Sequence, residues 1–449
     1  MSRARTRRFM GIPDEFWIGF VIMVGFFLKL VYDIELGYTA GTLNAGIWAA
    51  AEEGIPQSGH IGVIQYYYMY HRLPGVDPRA YACFANPPFY YMVSAGILRI
   101  LHGMFGWDIG VALQMLQCVN VIYVLTGESC GIGILRKFGV RGRKLVVCIV
   151  FLMFFPTYYN LGAVISPDAL TFMLSMLALN TALSWYHSRR NKSLIHAAVQ
   201  IGLGMMTGFN MVLILPPVVL LMFHAVIDGR RNMVPLRKQY KRFGLIAGIL
   251  SLWWPLYRLI RFRISPFYQD SPYGNRITEA FIERIRIPDS SMLWHLHTDG
   301  HSPLESNVWA QAFKTSVADF HALNISMTGT LIFAMLAVYL SIAVCVFSHL
   351  MLVQVLRTKR VERVYAQFIL TGYITVLAGY LLLAWRSPYP GTMDFKKFAV
   401  ILIYPLIGIG LCGDREDRST SFERVTSVVV TIMIMVLCVT AAFLFGYYP

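Results

Sequence analysis

Two carboxylates, Asp33 and Glu35, follow directly on a run of 17 mostly apolar residues, 16–32. A run of that length reads as a membrane span. An acid at the mouth of a span, without a linker, sits where the bilayer meets water. Partial desolvation there strengthens a carboxylate as a general base. Asp33 is the sharper candidate, and Glu35 reads better as a solvated loop acid. Asp168 in "SPDAL" and Asp394 in "GTMDFKK" stand at other expected span ends. For Asp168 the plain alternative is an N-terminal helix charge favoured by the dipole. For Asp394 it is an ion pair with a nearby lysine. Basic residues beside these outer ends are few: Arg258, Arg261 and Arg263 close one apolar run, and Lys396 and Lys397 open another.

The elements that position these groups are apolar. Of 449 residues 56% are hydrophobic and 14% charged, against roughly 25% charged in a soluble chain. The whole chain, 1–449, therefore reads as one all-α polytopic membrane domain. Its net charge of +15 lies in short clusters between apolar runs. That placement points to membrane orientation and contact with lipid headgroups, and away from nucleic acid. Spans are expected at 16–32, 109–134, 145–155, 169–185, 195–207, 211–227, 245–259, 327–353, 368–385, 398–412 and 425–445, eleven in all.

The stretch 90–106 is short and places Arg99, His102 and Gly103 on one helical face. If it does not cross, the basic clusters at 3–8, 136–144, 189–192, 230–242 and 357–363 share one side with the N-terminus. The positive-inside rule therefore makes it a juxtamembrane helix. The N-terminus is then cytoplasmic and the C-terminus external. The external segments are 33–107, 263–324 and 385–397. The first run carries no small-residue cleavage site and reads as a retained anchor. No repeat joins two halves of the chain, which weighs against a transporter. The seven cysteines show neither metal spacing nor a disulfide framework. "HLHTDGH", 295–301, does not match a zinc pattern. No cofactor is expected, and a divalent cation has no support in the sequence.

The loop after the first span carries "SGHIGVIQYY" (58–67), "LPGVDPR" (73–79) and "NPPFYY" (86–91). Later come "SPDALTFMLSMLAL", "GLGMMTGFN", "WWPLYR" and "GTMDFKK". Together with Asp33, and in this order, they resemble the GT-C superfamily of polyprenyl-phosphate-sugar glycosyltransferases. The nearest branch is the bacterial family 39 group, related to protein O-mannosyltransferases and the lipid A aminoarabinose transferase. The resemblance covers most of the chain.

It implies a GT-C fold with about 11 spans and a hexosyltransferase activity in a bacterial plasma membrane. The donor would be a polyprenyl-phosphate sugar, and the acceptor a hydroxyl of a lipid, glycan or protein on the external face. Asp33 would be the catalytic base. Glu35, His60, Asn86, Asp168 and Asp394 would line the substrate site. His60 would bind sugar hydroxyls or assist Asp33. Arg258, Arg261 and Lys396 would neutralise the leaving phosphate, although snorkelling to headgroups explains such residues nearly as well. Asn86 stands where the family has His, Gly208 where it has Lys, and Lys396 where it has Arg. A flippase of lipid-linked sugars, or a non-catalytic relative, is the alternative reading.

Overall fold

The computed structural model describes residues 8–9, 12–38, 46, 48, 58–81, 83–228, 233–265, 276–288, 306–317, 328–358, 362–389 and 421–447. In hydrocarbon, backbone N–H and C=O groups find no water, so an apolar run satisfies them within a helix. The chain follows this rule. A two-residue antiparallel pair, β1 (Arg8–Phe9) and β2 (Ile12–Pro13), leads into α1 (Asp14–Leu36). Then come α2 (Gly59–Tyr70), α3 (Phe89–Leu98), α4 (Ile109–Lys137), α5 (Gly142–Phe154) and α6 (Pro156–Ala163). Next are α7 (Asp168–Ser188), α8 (Asn191–Met205), α9 (Leu215–Asp228) and α10 (Met233–Phe262). The last five are α11 (Phe281–Arg284), α12 (Val308–Val317), α13 (Thr328–Thr358), α14 (Arg363–Arg386) and α15 (Ser421–Tyr447).

Among the described residues eight helices are long and apolar enough to cross a membrane, and the α5–α6 pair, bent by 44°, makes a ninth if it is one broken span. This is an all-helical integral membrane protein. Two of the eleven expected runs are not among these. The run 195–207 falls mostly in α8, which has 15 residues and ends at Met205, fewer than the ~20 a straight crossing needs. The run 398–412 lies outside the described residues. The run 145–155 is only the first limb of the bent pair: Pro156 lacks an N–H and cannot continue α5. The stretch 90–106 is not one helix either. α3 gives way to a π-helical turn, Arg99–Met104. Arg99 donates to the carbonyls of Tyr67 (2.6 Å) and Tyr68 (3.2 Å), near the end of α2, and the His102 ring lies 6.0 Å from that of Tyr68.

The first helix is held on one side. Ile18, Gly25, Lys29, Tyr32 and Asp33 are buried, spaced so that one stripe faces α4, α5, α6 and α15. Gly25 permits the closest approach, since a Cβ there would lie 2.7 Å from Met153 Cβ. α2 is buried along Gly59–Tyr67, so it packs as an interior element. Residues 276–288 and 306–317 are fastened to the end of α14. Arg284 donates to Ala384 O (3.0 Å) and Ser306 O (3.1 Å), and Tyr380 OH donates to Val308 O (2.7 Å). The described cysteines form no disulfide.

Candidate functional site

Asp33 does not open a loop. α1 continues through Ile34 to Leu36, so the acid sits in its last turn. The apolar run ends at Tyr32, but the helix needs only backbone hydrogen bonds and runs on. Two residues apart on a helix means about 200° of rotation, and the two acids part company. Asp33 is 0% exposed, whereas Glu35 is exposed.

The wall opposite Asp33 is α4. Gln114, Gln117 and Asn120 recur every three residues on one of its faces, in an otherwise apolar stretch. Gln114 Nε2 donates to Asp33 O (2.9 Å) and to Gln117 Oε1 (3.0 Å). Gln117 Nε2 donates to Ala163 O at the end of α6 (2.6 Å) and lies 3.4 Å from Gly37 O. Asn120 Nδ2 donates to Val164 O (2.7 Å) and meets Tyr90 OH (3.3 Å). Beside them Tyr32 OH donates to Asn160 Oδ1 (2.8 Å). Three elements that end near Asp33, namely α1, α6 and the 164–167 turn, are thus stitched to one face of α4.

The carboxylate itself is left over. Gln117 and the Cys118 thiol stand beside it, yet neither Asp33 oxygen has a hydrogen-bond partner among the described residues. A dry carboxylate with only an amide and a thiol beside it is an avid acceptor, because its desolvation is poorly compensated. A hydroxyl delivered there would be hydrogen-bonded at once and could lose its proton.

A second polar cluster adjoins through Tyr90. Burial pushes the Tyr90 phenol above its ordinary value, the Asn120 hydrogen bond opposes the shift, and the charge of Asp168 adds to it. Tyr90 is therefore a neutral hydrogen-bonding group. The next residue, Tyr91, gathers His60 Nδ1 (2.8 Å) and Asn86 Nδ2 (3.3 Å) around its hydroxyl, and Cys83 Sγ lies 4.0 Å from His60 Nε2. The turn 83–88 is held from α10: Arg258 Nη1 donates to Ala85 O (3.0 Å), and Trp254 Nε1 lies 3.5 Å from the same oxygen.

The expected site residues therefore divide. Asp33 is buried at a convergence of helices. His60 and Asn86 share Tyr91. Arg258 is 0% exposed and holds the Ala85 carbonyl, while Arg261 is exposed on the same helix. Asp168 is half-buried at the start of α7 and exchanges 3.3 Å contacts with Ser166 Oγ, which is the geometry of a helix start. Glu35 faces outward. Asp394, Lys396 and the 295–301 histidines lie outside the described residues. Among the described residues no three His, Cys, Asp or Glu side chains group as metal ligands. At Gly208, where the resemblance implied a lysine, a side chain would have to displace its neighbours. A Cβ there would meet Asn210 Oδ1 at 2.8 Å and Thr171 Oγ1 at 3.0 Å.

Sequence reasoning missed Gln114, Gln117, Asn120 and Tyr90. The signal was present in "QMLQCVN", 114–120: three amides at helical spacing inside a span mark a buried polar face.

No protein-family model and no curated protein sequence matches this chain. Solved structures do. ArnT from Cupriavidus metallidurans in the apo state superposes with a TM-score of 0.52 at 13% identity, over 96% of this chain and 76% of that one. ArnT from Cupriavidus metallidurans bound to undecaprenyl phosphate gives 0.50 at 13% identity, over 96% and 75%. The fold is ArnT-like, as the resemblance to the GT-C superfamily implied.

Proposed function

We propose that the protein is a membrane glycosyltransferase that moves a sugar from a polyprenyl-phosphate donor to an acceptor hydroxyl at the external membrane face. The observation that carries this reading is Asp33: a fully buried carboxylate without hydrogen-bond partners among the described residues, at the end of the first span of an ArnT-like fold. The undecaprenyl phosphate held by the second ArnT structure supports the donor class.

In this mechanism the acceptor hydroxyl donates its hydrogen bond to Asp33 and attacks the anomeric carbon as Asp33 takes the proton. The bond from that carbon to the phosphate oxygen breaks, and polyprenyl phosphate leaves. The guanidinium of Arg258, which also holds Ala85 O, would carry the leaving charge together with Arg261 and Lys396. His60, Asn86 and Tyr91 would bind sugar hydroxyls. The N-terminus is cytoplasmic, and 33–107 and 263–324 are external.

Purified protein in liposomes, given a panel of polyprenyl-phosphate hexoses, tests the reading. Release of free polyprenyl phosphate, with sugar appearing on an acceptor or water, is the expected result. Movement of intact donor across the bilayer without release would make the protein a carrier and refute it.

A further inference from the structure

One turn below Asp33 on the same face of α1 lies a second ionisable group, Lys29. Its ammonium donates to Glu128 Oε1 on α4 (2.7 Å) and to Met153 O (2.8 Å). The side chains are 1% and 0% exposed. Lys29 is seven residues from the end of α1, which places it about 10 Å deeper at 1.5 Å per residue. Ionisable groups at such depth are costly, and a buried ion pair is weak evidence for added stability, since apolar residues of like volume hold helices as well. What it supplies is register. A slide or rotation of α1 by one residue would leave two charges unpaired in an apolar interior.

The third partner has a cause of its own. Pro156 stops α5, and Phe155 is extended. The carbonyl of Met153 lies in the last turn, where no intrahelical donor follows. Lys29 supplies one, as a cation at the negative end of a helix dipole. Its ammonium also lies 5.4 Å from the centre of the Tyr159 ring on α6. Lys29 thus joins α1 to α4 and to both limbs of the broken span at one point. The next contacts up the stripe are Tyr32 with Asn160 and the Asp33 carbonyl with Gln114.

We propose that Lys29 and Glu128 are positioning residues: a buried electrostatic lock that sets the height and rotation of α1, and through them the place of the Asp33 carboxylate against α4. This rests on the proposed function for its consequence, but the position itself is measurable without activity. Cys118 stands beside Asp33. In a chain whose other cysteines are replaced, Asp33→Cys should form a disulfide with native Cys118 under mild oxidant, since only a narrow geometry allows the bond. Adding Lys29→Met should slow that cross-link at least about fivefold.

In the native-cysteine chain Lys29→Met should lower kcat by about 10–100-fold, the scale of a displacement near 1 Å, with donor KM within a factor of two. The double variant Lys29→Met/Glu128→Gln removes the orphaned charge. It should regain thermal stability while cross-linking and turnover stay low. Recovery of all three would make the pair a folding device only and overturn the proposal. An unchanged cross-linking rate in Lys29→Met would overturn it too. If that variant does not fold, Glu128→Leu, which removes the acceptor from Lys29, is read in the same two assays with the same criteria. Wild-type protein that transfers no sugar, with cross-linking still dependent on Lys29, would sink the proposed function and leave the lock standing.

Discussion

Replacing Asp33 by an asparagine separates catalysis from folding. The amide keeps the shape and removes the base, so turnover should fall by about 10²–10⁴-fold, the usual contribution of a general base. The structure adds a second expectation with the opposite sign. Both carboxylate oxygens are buried without hydrogen-bond partners among the described residues, and leaving a buried polar group unsatisfied costs about 1–3 kcal/mol. The amide of Asp33→Asn would be neutral and placed beside Gln117 and Cys118, so the variant should be more stable by an amount of that order. With about 2.1 cal/mol/K of unfolding entropy per residue, 449 residues convert this to a rise in Tm of about 1–3 °C. Helices that persist in detergent would reduce the entropy and enlarge the rise. The assay is single-turnover sugar transfer beside a thermal-melt series in one detergent, with Glu35→Gln as control. Glu35 faces outward, and its variant should change neither reading. Near-normal turnover in Asp33→Asn would refute the base assignment, and a loss of activity in Glu35→Gln alone would mean the wrong acid was chosen. A fall in Tm would refute the claim that the carboxylate is uncompensated.

Arg258→Ala should lower the folded yield as well as donor use, since the guanidinium holds Ala85 O (3.0 Å); Arg261→Ala should affect donor KM alone, and an unchanged KM would return Arg261 to headgroup contact. Gly208→Lys introduces the lysine that the GT-C resemblance implied, yet it should destabilise the chain by about 1–3 kcal/mol, the usual penalty of overpacking, because its Cβ would fall 2.8 Å from Asn210 Oδ1; a melt at or above wild type would contradict this. Single-cysteine labelling should find position 300 external and position 360 cytoplasmic, and labelling of both from one side would refute the assigned orientation.

Much of this was legible before folding. Apolar runs of this length have one solution in hydrocarbon, so an all-helical polytopic chain followed from composition and spacing. Asp33 stood out because a carboxylate directly after such a run is costly and seldom idle. The arrangement around it was not legible, for a reason peculiar to membranes. In water the apolar face of a helix marks its buried side, but in a bilayer the lipid-facing and packed sides are both apolar. α4 therefore gives no sign of what it packs against except through its amides. Helical periodicity could separate Asp33 from Glu35 only once α1 was known to run past Tyr32. The same holds for Arg258 and Arg261, one buried and one exposed on a single helix. The pairing of Lys29 with Glu128, 99 residues apart in the chain, was decided by tertiary structure alone: two charges within separate apolar runs do not say which partner relieves them, and only the approach of α1 to α4 at the break after α5 brings them together.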